Sequence, residues 1–188
     1  MTEYARPIVA GEAGSDTCPP PPIEVSGCYS FVRRMRRALR LLSCKAPREF
    51  DVVARYVRWI EEGERSEALV GSQPATVVLE KDLLHESLNW CAGVIVHEAY
   101  HFAHYYECQC DGSLWRPSDA SAIEVEKLCI DSQLALLEDL RARHDEIAWL
   151  RRQDGSHCLT QPRRARWPWF LRGPFRAIIE FILYPLRG

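Results

Sequence analysis

Two histidines and a glutamate in the middle of the chain have the residue types and spacing that can hold a divalent metal and use it. His97 and His101 lie four residues apart, and Glu98 directly follows the first of them. On an α-helix, residues four apart share one face and lie about 6 Å apart along the axis, so both imidazoles can reach one ion. Glu98 lies beside this pair and can deprotonate a water without binding the metal. The pattern predicts a zinc ion held by His97 and His101, with Glu98 as general base.

The motif lies inside a long segment with helical periodicity. From Asp82 to about Tyr106 there is no proline and only one glycine, and apolar residues recur at helical spacing. Asp82 is the predicted N-cap, because Gly71 and Pro74 interrupt the chain upstream. The residues just before His97 are strongly hydrophobic, so we expect the motif to begin in the protein core.

A catalytic zinc site needs a third protein ligand and one open position for water. His104 follows on the same face, but on a straight helix it lies about 10 Å along the axis from His97, too far to share the ion. Glu107 occupies the position of the last ligand in metzincins. This chain has His104 where that motif has glycine, and it has no methionine after the motif. Both residues are therefore disfavoured as the third ligand.

The segment 120–140 is a predicted helix, capped by Ser118 or Asp119. It carries two carboxylates near its start, Glu124 and Glu126. These lie about 200° apart around a helix, so only one can face the histidines. Glu126 shares its face mostly with apolar residues and Glu124 with polar ones. We therefore predict Glu126 as the third ligand and keep Glu124 as the alternative.

These residues resemble the zinc-binding motifs of gluzincin metallopeptidases. His97, Glu98 and His101 match the first motif, H-E-x-x-H, and Glu126 begins a segment similar to the second. The resemblance covers roughly residues 75–140. It implies an α+β fold, mainly helical, with a small β-sheet beside the active-site helix. It also implies zinc-dependent hydrolysis of peptide bonds in a protein or peptide substrate.

The second motif, Glu-x-x-(Ser/Ala)-Asp, is matched in part. Cys129 takes the place of its small residue, and Ile130 stands where the motif has Asp. In these enzymes that Asp orients a zinc-binding histidine. Asp131 or Gln133 is the candidate replacement in this chain.

Two further features of the resemblance concern the substrate. Thr76–Glu80 is a predicted strand, and in zincins a strand before the active helix forms the edge that pairs with an extended peptide. A donor must also stabilise the oxyanion. Six side chains are chemically able to do so, and no spacing selects among them: Tyr100, Tyr105, Tyr106, His104, His144 and His157.

Composition gives no general bias toward nucleic acid. The chain has 188 residues, which suits one domain with tails, and a formal net charge of −2. Five arginines nevertheless crowd a predicted amphipathic helix from Cys28 to Leu42. Its basic face is expected to be solvated, with contact to nucleic acid or an acidic partner as the alternative. A second helix is predicted from Pro47 to Glu62.

The two ends differ from the middle. Residues 1–24 are predicted to be a disordered, Pro-rich leader, and the metallopeptidase domain is predicted at 25–160. The basic and aromatic tail, 161–188, is too interrupted to span a bilayer. We expect residues 162–188 to contact the domain or a partner, with an interfacial membrane anchor as the alternative. No signal peptide is recognised at the start, so a cytoplasmic protein with mostly free thiols is expected from the eight cysteines.

A different class of function uses the same residues. A zinc ion that joins helix to helix would stabilise a non-enzymatic adaptor, whose basic helix and aromatic tail bind partners or a membrane. Glu98 argues against this, because a purely structural site requires no general base. The prediction is therefore a zinc metallopeptidase with His97, His101 and Glu126 as metal ligands.

Overall fold

A computed structural model of the chain describes residues 23–110 and 119–156. Five α-helices and a four-stranded sheet form this part, so the predicted α+β class is confirmed. Nearly all of the predicted leader, and the whole C-terminal tail, lie outside the described residues. The elements are β1 (Glu24–Ser26), α1 (Tyr29–Lys45), α2 (Pro47–Tyr56), β2 (Trp59–Gly63), β3 (Glu67–Leu69), β4 (Thr76–Glu80), α3 (Leu88–Cys110), α4 (Asp119–Asp139) and α5 (His144–Leu150).

The first helix, α1, is amphipathic with a strongly basic outer face. Apolar residues three or four apart are buried along one side, which fixes this helix on the core. The buried set is Phe31, Met35, Ala38 and Leu42. Arg33, Arg36, Arg37 and Arg40 are exposed on the other side. The predicted basic amphipathic helix is therefore present, and it extends to Lys45.

The second predicted helix is present, but it is shorter than predicted. Pro47 begins α2 at the first helical position, where a backbone N–H would have no partner within the helix. The helix ends at Tyr56 and not at Glu62. Val57 is extended, and β2 follows as a strand that pairs with β1 on one side and β4 on the other. Ile60 is fully buried within β2. Backbone pairing with two remote segments thus overrides the helical spacing of the apolar residues.

The sheet has the order β1-β2-β4-β3, in which β1, β2 and β4 are parallel and β3 is antiparallel to β4. The predicted strand over Thr76–Glu80 is present as β4. Its predicted position at the sheet edge is wrong, because β3 pairs along that side with Ala68 opposite Val77. The edge nearest the motif helix is therefore β3, a strand of three residues.

The motif helix starts later than predicted. Asp82 lies in a short 3-10 turn, Lys81–Leu84, and α3 begins at Leu88. Ser87 is the actual N-cap, since its Oγ accepts a hydrogen bond of 3.0 Å from the N–H of Trp90. A side-chain cap at this point satisfies a backbone donor that the helix cannot pair internally.

The long helix α3 runs through the middle of the structure. It packs against α1 and α2, against α4, and against β3 and β4. A helix enclosed in this way is apolar on several faces. Its buried residues include Cys91, Ala92, Ile95, Val96, Ala99 and Phe102. Within the described ranges, no helix combines the length and apolar character needed to cross a membrane.

Candidate metal centre

Close packing of α3 and α4 brings side chains of both helices to one point. Gly93 permits this approach, because a Cβ at that position would lie 3.1 Å from Cγ of Gln133 and 3.2 Å from Cδ2 of Leu137, both on α4. Gly93 precedes His97 by four residues and so lies on the same face of α3. The face of α3 that carries the histidines is therefore the face that meets α4.

His97 and His101 direct their Nε2 atoms toward each other. The two nitrogens lie 3.2 Å apart, and the rings meet edge to face with centroids 5.0 Å apart. Glu126 of α4 reaches both histidines. Its Oε1 lies 3.4 Å from Nε2 of His97, and its Oε2 lies 3.4 Å from Nε2 of His101. Three side chains from two helices thus present their donor atoms to one small volume.

Glu126 and Glu124, the two predicted alternatives for the third ligand, point in different directions. Glu126 is only 8 % exposed, whereas Glu124 is exposed to solvent. Cys129 and Ile130, on the face predicted for Glu126, are buried with it. The structure therefore brings Glu126, and not Glu124, to the histidine pair.

Cys129 also lies at this point, and the sequence did not suggest it as a ligand. Its Sγ and one nitrogen of each histidine all lie within 4.8 Å of one another. Among the described residues, these three each offer one ligand atom that lies within 4.8 Å of the other two. Cys129 follows Glu126 by three residues, and this helical spacing was the signal available in the sequence. The histidines therefore have two candidate donor residues on α4. Cys129 belongs to the group within 4.8 Å, and Glu126 does not. Each of the two oxygens of Glu126 nevertheless lies 3.4 Å from Nε2 of one histidine.

Glu98 is buried between the cluster and the sheet edge. It is 6 % exposed, and its carboxyl group accepts a hydrogen bond from the backbone of Ala68 in β3. Burial raises the pKa of Glu98, although the neighbouring His97 and His101 oppose this change. A carboxyl group whose pKa is raised can both accept and return a proton nearer to neutral pH. Glu98 is thus suited to acid-base work beside the histidines.

The pKa values of His101, Glu126 and Cys129 are shifted by burial and by hydrogen bonds within the cluster. Burial disfavours the charged form of His101, but hydrogen bonds with Cys129 and Glu126 outweigh it and raise the pKa of His101 well above its ordinary value. Burial also opposes ionisation of Glu126, but hydrogen bonds from both histidines hold the pKa of this carboxyl far below its usual range. Burial raises the pKa of the Cys129 thiol. The charged forms of His101 and Glu126 therefore stabilise each other.

The sequence predicts a partner that orients a zinc-binding histidine, and for His97 no such partner is found in the described ranges. Nδ1 of His97 is buried, and no described residue is hydrogen-bonded to it. Asp131 is exposed, and Gln133 packs against Gly93. The second motif has an aspartate at the position of Ile130. Neither Asp131 nor Gln133 takes over the role of that aspartate for His97.

The disfavoured ligand candidates on α3 stay outside the donor group. Glu107 is exposed. His104 is partly buried, and this burial lowers its pKa. Neither residue joins the histidines and Cys129 in the described cluster.

The predicted oxyanion donors lie in different surroundings. Tyr100 is hydrogen-bonded to Ser132 of α4, and Tyr106 stacks on Tyr56 with ring centroids 6.0 Å apart. The hydroxyl of Tyr105 lies near Gly71, where a Cβ would be 3.2 Å from it. His144 is the first residue of α5, and His157 lies outside the described residues.

Imidazole, carboxylate and thiol groups are all ligands that zinc accepts in proteins. The cluster therefore has the donor chemistry of a zinc site, whichever side chain of α4 completes it. No protein-family model matches the chain, and no curated protein or solved structure matches it.

Proposed function

We propose that the protein is a zinc-dependent peptidase in which His97, His101 and Glu126 hold the ion. Ligands about 2.0–2.1 Å from a tetrahedral zinc lie about 3.3–3.4 Å from one another. The corresponding distances here are 3.2 Å between the histidine nitrogens, 3.4 Å from Nε2 of His97 to Oε1 of Glu126 and 3.4 Å from Nε2 of His101 to Oε2 of Glu126. This agreement carries the proposal, since donors from two different helices already have the spacing of zinc ligands.

Glu98 supplies the proton transfers that peptide hydrolysis needs. A zinc ion held by His97, His101 and Glu126 would acidify a water and polarise the carbonyl group of the bond to be cleaved. Glu98 would accept a proton from the attacking water and deliver it to the leaving amine. Its burial beside the histidines supports this role, because the raised pKa favours the protonated carboxyl that the second transfer uses.

The sheet edge beside Glu98 supports an extended peptide as the substrate. β3 is an edge strand, and in the described sheet it pairs only with β4. The backbone of Ala68 in β3 is hydrogen-bonded to Glu98. A peptide that adds to this edge as a further strand would therefore run past the general base. In this proposal β3 has the role that the sequence analysis gave to Thr76–Glu80.

A zinc-stabilised adaptor is the second candidate, and Cys129 is the observation that favours it. Structural zinc sites use four protein ligands, whereas catalytic sites keep one position for water. With Cys129 in addition to Glu126, the histidine pair has four protein donors in its cluster when its own two nitrogens are included. The exposed arginines of α1 would then form the partner surface of the adaptor.

The test compares the wild-type chain with Glu98→Gln and with Glu107→Gln. Glu107 is the matched control, because it is an exposed acid on the same helix. Zinc content is measured by elemental analysis, and cleavage is measured with casein and with a peptide library. Each comparison is repeated with Cys129→Ala, so that the thiol cannot mask cleavage.

We expect every chain to bind one zinc ion. Glu98→Gln should lose cleavage by about 100-fold or more, which is typical of a missing general base, whereas Glu107→Gln should retain it. Equal cleavage with and without Glu98 would contradict the peptidase. Failure of chelator-free protein to bind added zinc would contradict the metal site itself.

A further inference from the structure

We propose that Cys129 is a fourth zinc ligand that closes the centre, so that the protein holds zinc in a latent form. This inference depends on the proposed zinc site and concerns the regulation of that site. The latent form becomes active only when the Cys129 thiolate leaves the ion and makes its position available to water.

The position of Cys129 on α4 is the first support. Residues three apart on a helix are neighbours on one face, so Glu126 and Cys129 can approach the same ion together. Sγ of Cys129 and a nitrogen of each histidine already lie within 4.8 Å of one another, and Cys129 is hydrogen-bonded to His101. A zinc–sulfur bond is about 2.3 Å long, so small side-chain rotations are sufficient to bring the thiol to the ion.

The number of donors is the second support. Two imidazoles, one carboxylate and one thiolate complete a tetrahedral sphere, which leaves no open position. The thiol binds as thiolate and releases its proton to solvent, and it takes up a proton again when it leaves. No oxidant or reductant is needed, because neither zinc nor sulfur changes its oxidation state.

The surroundings of the thiol are the third support. Cys129 is fully buried, so in the latent form its thiol is enclosed beside the histidines. Cys91, the other fully buried thiol of the described ranges, is engaged elsewhere, because it donates to the carbonyl oxygen of Leu83 at 3.3 Å. Cys44 is exposed on α1 and serves as the matched control.

The test replaces zinc with cobalt(II), whose absorption spectrum reports its ligands. Bound cobalt gives visible d–d bands, and a thiolate ligand adds a charge-transfer band in the near ultraviolet. The wild-type chain and Cys44→Ser should show both. Cys129→Ser and Cys129→Ala should keep the visible bands and lose the charge-transfer band. The wild-type spectrum alone decides whether a thiolate is bound, even if a variant fails to fold.

Cleavage by the zinc-loaded chains completes the test. If about a tenth or less of the wild-type protein is open, Cys129→Ala should cleave peptides about 10-fold faster or more, and Cys44→Ser should equal wild type. Visible bands without a charge-transfer band in the wild-type chain would overturn the role of Cys129. The proposed site with three protein ligands would remain consistent with that result. The absence of all cobalt bands would overturn the metal site as well. A thiolate band with no gain of cleavage in Cys129→Ala would overturn latency.

Discussion

Gly155 lies directly against the turn of α4 that carries Glu126. A Cβ at position 155 would lie 2.8 Å from the carbonyl oxygen of Ile123, 3.3 Å from the backbone nitrogen of Lys127 and 3.4 Å from Cβ of Glu126. Gly155 also has a φ of +81°, a conformation that glycine adopts without steric cost. The turn after α5 therefore packs on the backbone of α4 at the candidate metal ligand.

Gly155→Ala should destabilise the protein and weaken its zinc binding. The new methyl group meets backbone of α4, which cannot rotate away, and the positive φ is strained for alanine. We expect a loss of about 1–3 kcal/mol in the free energy of unfolding. A displaced α4 also moves Glu126 relative to the histidines. Denaturant unfolding measures the first effect, and a zinc titration measures the second.

Gly71→Ala separates these two effects. Gly71 has a φ of +83°, but the described neighbour that a Cβ there would meet is the side chain of Tyr105, with 3.2 Å to its hydroxyl oxygen. This variant therefore carries a similar backbone strain without touching α4. It should lose stability and keep its zinc affinity. Equal losses of zinc affinity in both variants would show that contact with α4 is not the cause.

Glu126→Ala should reduce zinc affinity, and Glu124→Ala should not. Oε1 of Glu126 lies 3.4 Å from Nε2 of His97 and Oε2 lies 3.4 Å from Nε2 of His101, whereas Glu124 is exposed. Loss of a ligand should weaken zinc affinity by about 10-fold or more. Loss of a group that is only hydrogen-bonded to a ligand already has an effect of this size. Competition with a chromogenic chelator measures both affinities. A larger loss in Glu124→Ala would refute the assignment of the third ligand.

The helices of this fold could be predicted from local spacing, but the strands only in part. Helical periodicity identified α1 and most of α3, because burial on one side repeats every three or four residues. The helix predicted from Pro47 to Glu62 failed after Tyr56, because β2 is defined by partners remote in sequence. The interior position of β4 depends on β3, which is too short to show a pattern of its own.

Within the site, helix geometry separated Glu126 from Glu124, because the angle between two residues of a helix follows from their spacing. Cys129 was missed, since spacing indicates a face and not a distance. Only the packing of α4 on Gly93 brings its Sγ to the histidines. The hydrogen bond from Ala68 to Glu98 joins a strand to a helix across the fold, and no local pattern indicates it.

Ser87→Ala should lower the stability of the protein through the start of α3. The Ser87 hydroxyl accepts the N–H of Trp90 at 3.0 Å, and alanine leaves this donor unpaired. The expected loss is about 0.5–2 kcal/mol in the free energy of unfolding. Ser43→Ala is the control, because Ser43 is exposed within α1 and, among the described residues, its hydroxyl donates to the carbonyl oxygen of Arg40 and to Sγ of Cys44. If both variants unfold at the same denaturant concentration as wild type, Ser87 is not the cap.

The metal-free protein should lose stability as the pH rises above about 6.5. His101 has a folded pKa well above its ordinary 6.5, so its contribution is complete below that pH and is lost as the pH rises through the folded pKa. Glu126 has a lowered pKa, so its contribution to the stability of the folded protein is complete above pH 4.5. This contribution is lost only as the pH falls through the folded pKa of Glu126. Burial raises the pKa of Glu98, so this group adds a loss that begins as the pH rises above 4.5. Melting temperatures in the presence of a chelator should therefore fall with rising pH, and less steeply in His101→Gln. An equal slope in both chains would refute the charge coupling at His101.

Zinc should oppose this pH dependence. Zinc binds the deprotonated imidazole, so below the raised pKa of His101 the ion must displace a proton, and its affinity falls by up to about 10-fold per pH unit. The stabilisation by zinc depends on the logarithm of the ratio of free ion to dissociation constant, and it therefore increases as the pH rises. We expect the difference in melting temperature between zinc-loaded and metal-free protein to grow between about pH 6 and about pH 8. Glu98→Gln should show the same growth, because Glu98 is not a ligand. A difference that stays constant, or shrinks as the pH rises, would mean that zinc does not bind through His101.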